Sequence, residues 1–289
     1  MSAVEGFYAN KTAIITGGAS GIGRSMGEHL ARSGAHVVLT DVDGEAVTRA
    51  AGELQRTAGP GGSVDARQAD VRDRAAVQAL VDDVAGRGRA IDFMFNNAGI
   101  SLGGPTHEMT GEHWDRIIDV NLRGVVNGIL AVYGRMIEQG HGHIVNTASR
   151  AGLVTPPLVV AYGATKHAVV GLSTGLRPEA ALHGVRVSVL CPGAVETPIL
   201  DRLPPDDLPT TASAPVTARA YLAKVRQRPI DANRFAREAL RAVERNQAII
   251  VVPRSAKSLW YLQRVSPAVV DRICRAMAKT VSRDLVQPR

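Results

Sequence analysis

Short apolar runs alternate with longer stretches of helical spacing along most of this chain. The runs fall at residues 11–16, 35–40, 91–95, 142–147, 185–191 and 248–252, and residues 63–69 form a more polar third strand in the same series. Each is too short for a helix, each is bounded by glycine or polar residues, and most lack the strict alternation of a half-exposed strand. Runs of that kind are strands covered on both faces. Between them, apolar positions recur with the period of a helix. This predicts helices from the glycine cluster after the first strand to Ala31, over residues 44–57, 74–85 and 110–139, and from Tyr162 to His183. Strands separated by helices imply right-handed crossovers, and hence an α/β, doubly wound fold on a seven-stranded parallel sheet. Residues 1–252 are assigned to that domain and residues 253–289 to a basic, amphipathic C-terminal helical extension. One long irregular stretch, residues 198–217, holds five of the fifteen prolines and reads as either a lid or a passive surface loop.

Composition narrows the class without naming a function. With 289 residues, 45% hydrophobic and 21% charged, the chain can bury a large core and is not of disordered composition. No apolar run approaches the ~20 residues of a membrane span. The first eleven residues have neither a basic nor an apolar leader region, so a cytoplasmic protein is expected, with Cys191 and Cys274 as reduced thiols. The net charge of +7 is uneven. Residues 219–289 carry 16 Lys/Arg against 5 Asp/Glu, and the remainder 18 against 22. Aromatic residues are only 4% and no recognition motif accompanies the basic segment, so nucleic acid is not an expected partner. In the extension, Val269, Val270, Ile273, Cys274 and Met277 fall on one helical face, with Arg272, Arg275 and Lys279 opposite. That face can dock on its own or a partner subunit, or lie peripherally on an anionic membrane.

Candidate chemistry begins at the turn after the first strand, Thr16-Gly17-Gly18-Ala19-Ser20-Gly21-Ile22-Gly23. Glycines there allow a sharp turn and let a pyrophosphate approach a helix N-terminus, where free N–H groups favour anions. The spacing Gly-x-x-x-Gly-x-Gly is neither the common dinucleotide fingerprint nor a phosphate-binding P-loop. Tight strand–helix packing is the alternative explanation. Asp41 ends the second strand 18 residues after Gly23, near the offset at which an acid meets ribose hydroxyls. A carboxylate there accepts hydrogen bonds from a diol and repels a 2′-phosphate, so NAD is expected over NADP. The alternative for Asp41 is a helix N-cap, and nearby Arg24 could soften the preference.

Tyr162 and Lys166 stand four apart at the start of a helix, on one face. A phenol titrates near 10, too high for a base at neutral pH. A cation ~4 Å away at an effective dielectric of ~20 supplies about 4 kcal/mol, enough to lower it by roughly three pH units. This spacing alone is common. Its weight comes from company: Asp70 and Val71 after strand three, Asn96-Asn97-Ala98-Gly99 after strand four, Asn121 in the next helix, Ser149 thirteen residues before Tyr162, and Pro192-Gly193-Ala194-Val195-Glu196-Thr197 after strand six.

Together these features, over about residues 10–252, resemble the short-chain dehydrogenase/reductase family, whose fold is of Rossmann type. The resemblance implies an NAD(P)-dependent oxidoreductase that passes a hydride between a nicotinamide cofactor and an alcohol or ketone. It implies Tyr162 as acid/base, Lys166 lowering its pKa and holding the nicotinamide ribose, Ser149 orienting the substrate oxygen, and Asn121 holding a relay water. It further implies Gly17, Ser20, Gly21, Ile22 and Gly23 around the pyrophosphate. Asp70 and Val71 would meet the adenine. Asn97, Ala98 and Gly99 would line the adenosine side. Pro192, Gly193, Val195 and Thr197 would meet the nicotinamide side. A catalytically silent NAD(H)-binding or scaffolding protein is the other functional class. A homodimer or homotetramer is expected, because Ala164, Ala168, Gly171 and Gly175 form a small-residue stripe on the helix that meets a second subunit in this family.

Three other motifs carry less. Gly171-Leu172-Ser173-Thr174-Gly175 matches a nucleophile elbow but lies inside a predicted helix. His141 and His143 lack a third ligand, and no metal site is expected. Asn10-Lys11-Thr12 matches a glycosylation acceptor, but without a leader it reads as chance. Around the substrate the expected residues are apolar: Ile100, Leu102, Leu153, Val154, residues 156–160, Leu200, Leu203 and Leu208. A hydrophobic secondary alcohol or ketone follows from such a lining.

Overall fold

The structure is a computed structural model that describes residues 6–213 and 216–285. Seven strands form one parallel sheet: β1 (Thr12–Thr16), β2 (His36–Asp41), β3 (Ser63–Gln68), β4 (Phe93–Asn96), β5 (Gly142–Thr147), β6 (Val185–Pro192) and β7 (Ile249–Val252). Their order is β3-β2-β1-β4-β5-β6-β7. The direction of winding reverses between β1 and β4, the crevice where open α/β sheets bind ligands at the strands' C-terminal ends.

Alternation along each strand feeds two cores. Ala13 and Ile15 of β1 face one layer while Ile14 faces the other, and Val145 and Ile144 of β5 divide the same way. The first layer holds α1 (Gly21–Arg32) and α2 (Gly44–Gln55), which contribute Met26, Leu30 and Leu54. The second holds α3 (Arg74–Gly86), α5 (Gly124–Gln139) and α6 (Val160–Ala181). Both faces of the strands inside the edge are thus apolar, which explains why those strands read as near-continuous apolar runs. The edge strand β3 is protected by charge: Arg67 pairs with Asp83 of α3 at 3.0 Å, and Asp65 with Arg87 at 3.3 Å.

Three features depart from the sequence reading. The stretch read as one helix over 110–139 is α4 (Gly111–Ile118), a wide π turn (Asp119–Arg123) and α5. As a continuous run, Gly111–Gln139 is long and apolar enough to cross a membrane, but half of that window is buried in this fold. Between β6 and β7 lie two helices that the sequence reading did not assign, α7 (Ala218–Lys224) and α8 (Ala232–Glu244). Helix α8 buries Phe235, Ala236, Ala239, Leu240 and Val243 in the first core layer, against α1. Its exposed face carries Arg234, Arg237 and Arg241, so the helix is amphipathic. Residues 198–217 contain a short turn at Pro198–Leu200.

Beyond β7, α9 (Lys257–Val265) and α10 (Pro267–Leu285) pack on each other, and α10 packs on α7. Val270 and Val281 are buried, while Val269 and Ile273 are exposed. The expected single apolar face is therefore split, with one edge docked on this chain and the other open.

Candidate active site

At the switch point the C-terminal ends of the strands surround a cavity of about 540 Å³. Its construction starts at Thr16. The Thr16 hydroxyl oxygen accepts from Asn97 N at 2.9 Å and from Ala98 N at 3.0 Å, and Asn97 Nδ2 donates to the carbonyl of Thr16 at 3.0 Å. The end of β4 is thereby clasped to the glycine turn. Gly17 takes φ +64°, and a Cβ there would lie 2.8 Å from Ala98 Cα. A Cβ on Gly23 would stand 2.3 Å from the Gly17 carbonyl oxygen. Gly23 therefore serves the turn's closure from behind; it does not line the cavity, whereas Gly17, Ser20, Gly21 and Ile22 do. The Ser20 side chain makes no capping bond, so the first turn of α1 offers its backbone N–H groups to the cavity side.

Asp41 lines the same cavity. It is not the N-cap of α2. Asp43 holds that role, accepting from Ala46 N at 2.9 Å. Asp41 instead accepts single backbone bonds from Ala19 N (3.2 Å) and Asp43 N (3.3 Å). Arg24 is tied to Glu53 at 2.7 Å. Asp70 and Val71 line the adjoining wall, and the Asp70 carboxylate is held below its ordinary range by hydrogen bonds from Arg72. Asn97, Ala98 and Gly99 follow, and Pro192, Gly193, Val195 and Thr197 close the far side. That last segment is fixed by Ile230, whose N–H reaches Ala194 O at 3.0 Å and whose carbonyl receives Glu196 N at 2.8 Å.

Ser149, Tyr162 and Lys166 line the cavity together. Ser149 ends the stretch after β5, its Oγ accepting from Ala151 N at 3.1 Å. Lys166 is 3% exposed, and burial lowers it from the ordinary lysine value to about 8. Its ammonium donates to Thr147 O at 2.9 Å and lies 5.7 Å from the centre of the Tyr162 ring. Burial raises the Tyr162 phenol, and a hydrogen bond with Ser149 opposes the rise. The phenol is raised overall, so Lys166 by itself does not bring it below its ordinary value. Cys191, beneath both groups on β6, is pushed up to about 12 by burial.

Asn121 is fully buried at the centre of the π turn and does not line the cavity. Its amide oxygen accepts from Ile100 N at 2.8 Å, and its Nδ2 donates to Ile100 O at 2.9 Å and to Thr165 Oγ1 at 3.3 Å. A Cβ on Gly99 would lie 3.1 Å from Asn121 Oδ1 and 3.3 Å from Lys166 Nζ. The missing side chain at Gly99 leaves space between these two groups.

The expected apolar lining is only partly present. Ile100, Pro156, Val159 and Leu200 line the cavity. Leu102, Leu153, Val154 and Leu208 are instead buried in the protein's interior, and Leu203 points to solvent. In their place stand residues that the sequence reading missed, among them Arg116, Arg150, Tyr221 and Gln227. Arg150 was the most findable, as a cation directly following Ser149. Ser173 is buried within α6 and donates to Val169 O at 2.7 Å, so it is no nucleophile elbow. His143 is buried, bonded to Ser188 Oγ at 2.9 Å, and burial lowers it to about 3.

A family model described as short chain dehydrogenase matches residues 11–208. This chain belongs to the short-chain dehydrogenase/reductase family. It is 38% identical over 195 residues to levodione reductase of Leifsonia aquatica, which covers 67% of this chain and 73% of that protein. Among solved structures, a short-chain dehydrogenase/reductase from Burkholderia phymatum in complex with NAD matches with TM-score 0.82 and 33% identity, covering 91% of this chain and 95% of that one. A short-chain dehydrogenase from Sphingobium yanoikuyae in complex with NADPH matches with TM-score 0.74 and 27% identity over the same shares.

Proposed function

We propose that this protein is a nicotinamide-dependent dehydrogenase or reductase of a secondary alcohol or ketone with an apolar body, using NAD in preference to NADP. The observation that carries the reading is the meeting of Ser149, Tyr162 and Lys166 with the glycine turn in one cavity.

The residues fit the cofactor. The uncapped start of α1 and the Gly17–Ile22 turn would hold the pyrophosphate, and Asp41 the adenosine ribose. Each Asp41 oxygen accepts one backbone N–H, leaving lone pairs for a diol, and Arg24 is engaged by Glu53 and lines no part of the cavity. Those two facts support NAD, although relatives include one holding NADPH. When bound, the nicotinamide supplies the hydride acceptor or donor. The rest is this chain's chemistry. Tyr162 exchanges the proton of the substrate hydroxyl. Ser149 holds that oxygen toward the phenol. Lys166 supplies positive charge below the ring. The Asn121 amide, across the gap left by Gly99, positions a water for proton exchange with Lys166. The stripe of Ala164, Ala168, Gly171 and Gly175, open or partly open on α6, is the surface on which a second subunit would pack.

Tyr162→Phe tests the reading. Turnover of a ketone panel should fall at least 10³-fold while NADH binding, followed by fluorescence, stays within twofold. Undiminished turnover overturns it. Tight NADH binding by the wild type with no turnover of any alcohol or ketone supports the silent binder instead.

A further inference from the structure

Among the described residues, Arg150 is the arginine lining the cavity that is half-buried and has no carboxylate partner. Arg72 is held by Asp70 at 2.6 Å, and Arg116 is paired with Asp207. Arg202, at the mouth, is exposed. Arg150 has no carboxylate within ion-pair distance among the described residues. Its one side-chain partner is neutral: Nη2 donates to Gln227 Oε1 at 2.7 Å. Burial lowers its pKa, and the only electrostatic influence opposing that is Tyr221.

Tyr221 adds a second, independent observation. It lines the same cavity from α7 and is 6% exposed, and its hydroxyl, shielded from water, has no hydrogen-bond partner. Buried polar groups are nearly always satisfied, and a cation partly withdrawn from water also favours an anionic partner. A polar donor without an acceptor thus stands beside a cation without an anion. A purely structural tie between the turn after β5 and the α7–α8 connection needs only the bond to Gln227. It does not call for a full charge, which a neutral donor could replace.

We infer that Arg150, assisted by the Tyr221 hydroxyl, receives a carboxylate on the substrate. The substrate is then an apolar hydroxy acid or oxo acid, and not a neutral alcohol or ketone. This rests on the oxidoreductase reading and narrows its substrate class. Arg150 directly follows Ser149, so the carboxylate lies on the substrate side of the reacting carbon, away from Asp41 and the adenosine end. Gln227 occupies one edge of the guanidinium. The remaining N–H groups suit the two oxygens of a planar carboxylate. Ile100, Val159, Leu200 and Leu222 supply the apolar wall for the rest of the molecule.

The test is a panel of aryl, alicyclic and alkyl ketones, each offered as the free oxo acid, its methyl ester and its phosphonate counterpart, with NADH and NADPH. On the scaffolds turned over, the acid should exceed the ester at least tenfold in kcat/KM, mainly through KM. Arg150→Met should remove that preference by lowering the acid at least tenfold while leaving the ester within twofold. Arg150→Lys should restore part of it. Tyr221→Phe should weaken the acid alone, by less than Arg150→Met does. Equal loss of acid and ester in Arg150→Met makes the residue a structural tie and overturns the inference. So does an ester that matches the acid in the wild type, or a phosphonate preferred over the carboxylate. If no ketone in any form is turned over, the oxidoreductase reading fails on its own. Calorimetric binding of the same acids to wild type and Arg150→Met then decides the receptor: binding lost in the variant upholds it, and binding unchanged or absent in both refutes it.

Discussion

Replacing Lys166 by methionine should abolish turnover and yet leave the cofactor-free protein more stable at neutral pH. Burial lowers this lysine from its ordinary value of 10.5 to about 8. At about 1.4 kcal/mol per pH unit, that difference sets about 3 kcal/mol of folding free energy against the charged native state at pH 7. The bond from its ammonium to Thr147 O returns about 1 kcal/mol or somewhat more. Methionine has similar bulk and no charge, so the variant should lead by about 1–2 kcal/mol at pH 7. The sign with pH is specific. Below pH 8 both states carry the proton and the penalty is constant. Between about 8 and 10.5 the unfolded chain keeps the proton that the native state has lost, so wild-type stability rises with pH. Methionine lacks this rise, and the gap should close by about 2 kcal/mol between pH 8 and 10. Cys191, held near 12, works in the opposite direction above pH 9, but it does so in both proteins and cancels in the difference. Urea unfolding of both proteins at pH 7, 8, 9 and 10 measures this. A methionine variant less stable than wild type at pH 7, or two curves that run parallel, would refute the reasoning.

Three further outcomes are expected. Gly23→Ala places a methyl 2.3 Å from the Gly17 carbonyl oxygen, so the turn must open; NADH affinity should fall at least tenfold and stability by about 1–3 kcal/mol, measured by fluorescence titration and thermal melting. Asp41→Ala should weaken NAD by about ten- to hundredfold and NADP far less, read from steady-state KM values; an unchanged NAD/NADP ratio removes Asp41 from cofactor choice. In the cofactor-free protein Tyr162 should titrate above the ordinary phenol value, and binding of oxidised NAD should lower it, seen as a shift in the ultraviolet phenolate difference between wild type and Tyr162→Phe.

Legibility from sequence followed burial on two faces. The six strands other than the edge strand β3 are largely buried and apolar, while β3 buries only Val64; all seven could be located, with ends displaced by a residue or two. Helix α8 was legible and was missed: Phe235, Ala236, Ala239, Leu240 and Val243 recur at helical spacing against an arginine-rich outer face, but the stretch between the sixth and seventh strands was not read for helices. The π turn at Asp119–Arg123 is silent: it widens one turn within an unbroken apolar pattern and is specified by the Asn121 bonds to Ile100, 21 residues away. The dinucleotide side of the cavity was readable because backbone approach demands glycine at fixed positions. The substrate side was not. Hydrophobicity alone cannot say whether Leu153 or Arg150 faces inward when the two sit in one short turn, and the turn's geometry decided against the leucine.

The same geometry bears on how the phenol could be made a base. Burial acts on Tyr162 and Lys166 in opposite directions, raising the first and lowering the second, so both are pushed toward neutral forms. The hydrogen bond with Ser149 opposes the rise of the phenol, which still stands above its ordinary value with the ammonium 5.7 Å from the ring centre. A phenolate therefore needs a second positive charge in the cavity, and on our reading it arrives with an oxidised nicotinamide. The acid/base is then weak in the empty protein and strengthened only when the group that accepts the hydride is in place. Coupling of this kind requires that the lysine be buried deeply enough for its charge to reach the ring unscreened, and the lowered value near 8 is the free-energy cost of that depth. Removing the lysine's charge should thus relieve the fold and disable the site in one substitution, because a single desolvated ammonium is responsible for both.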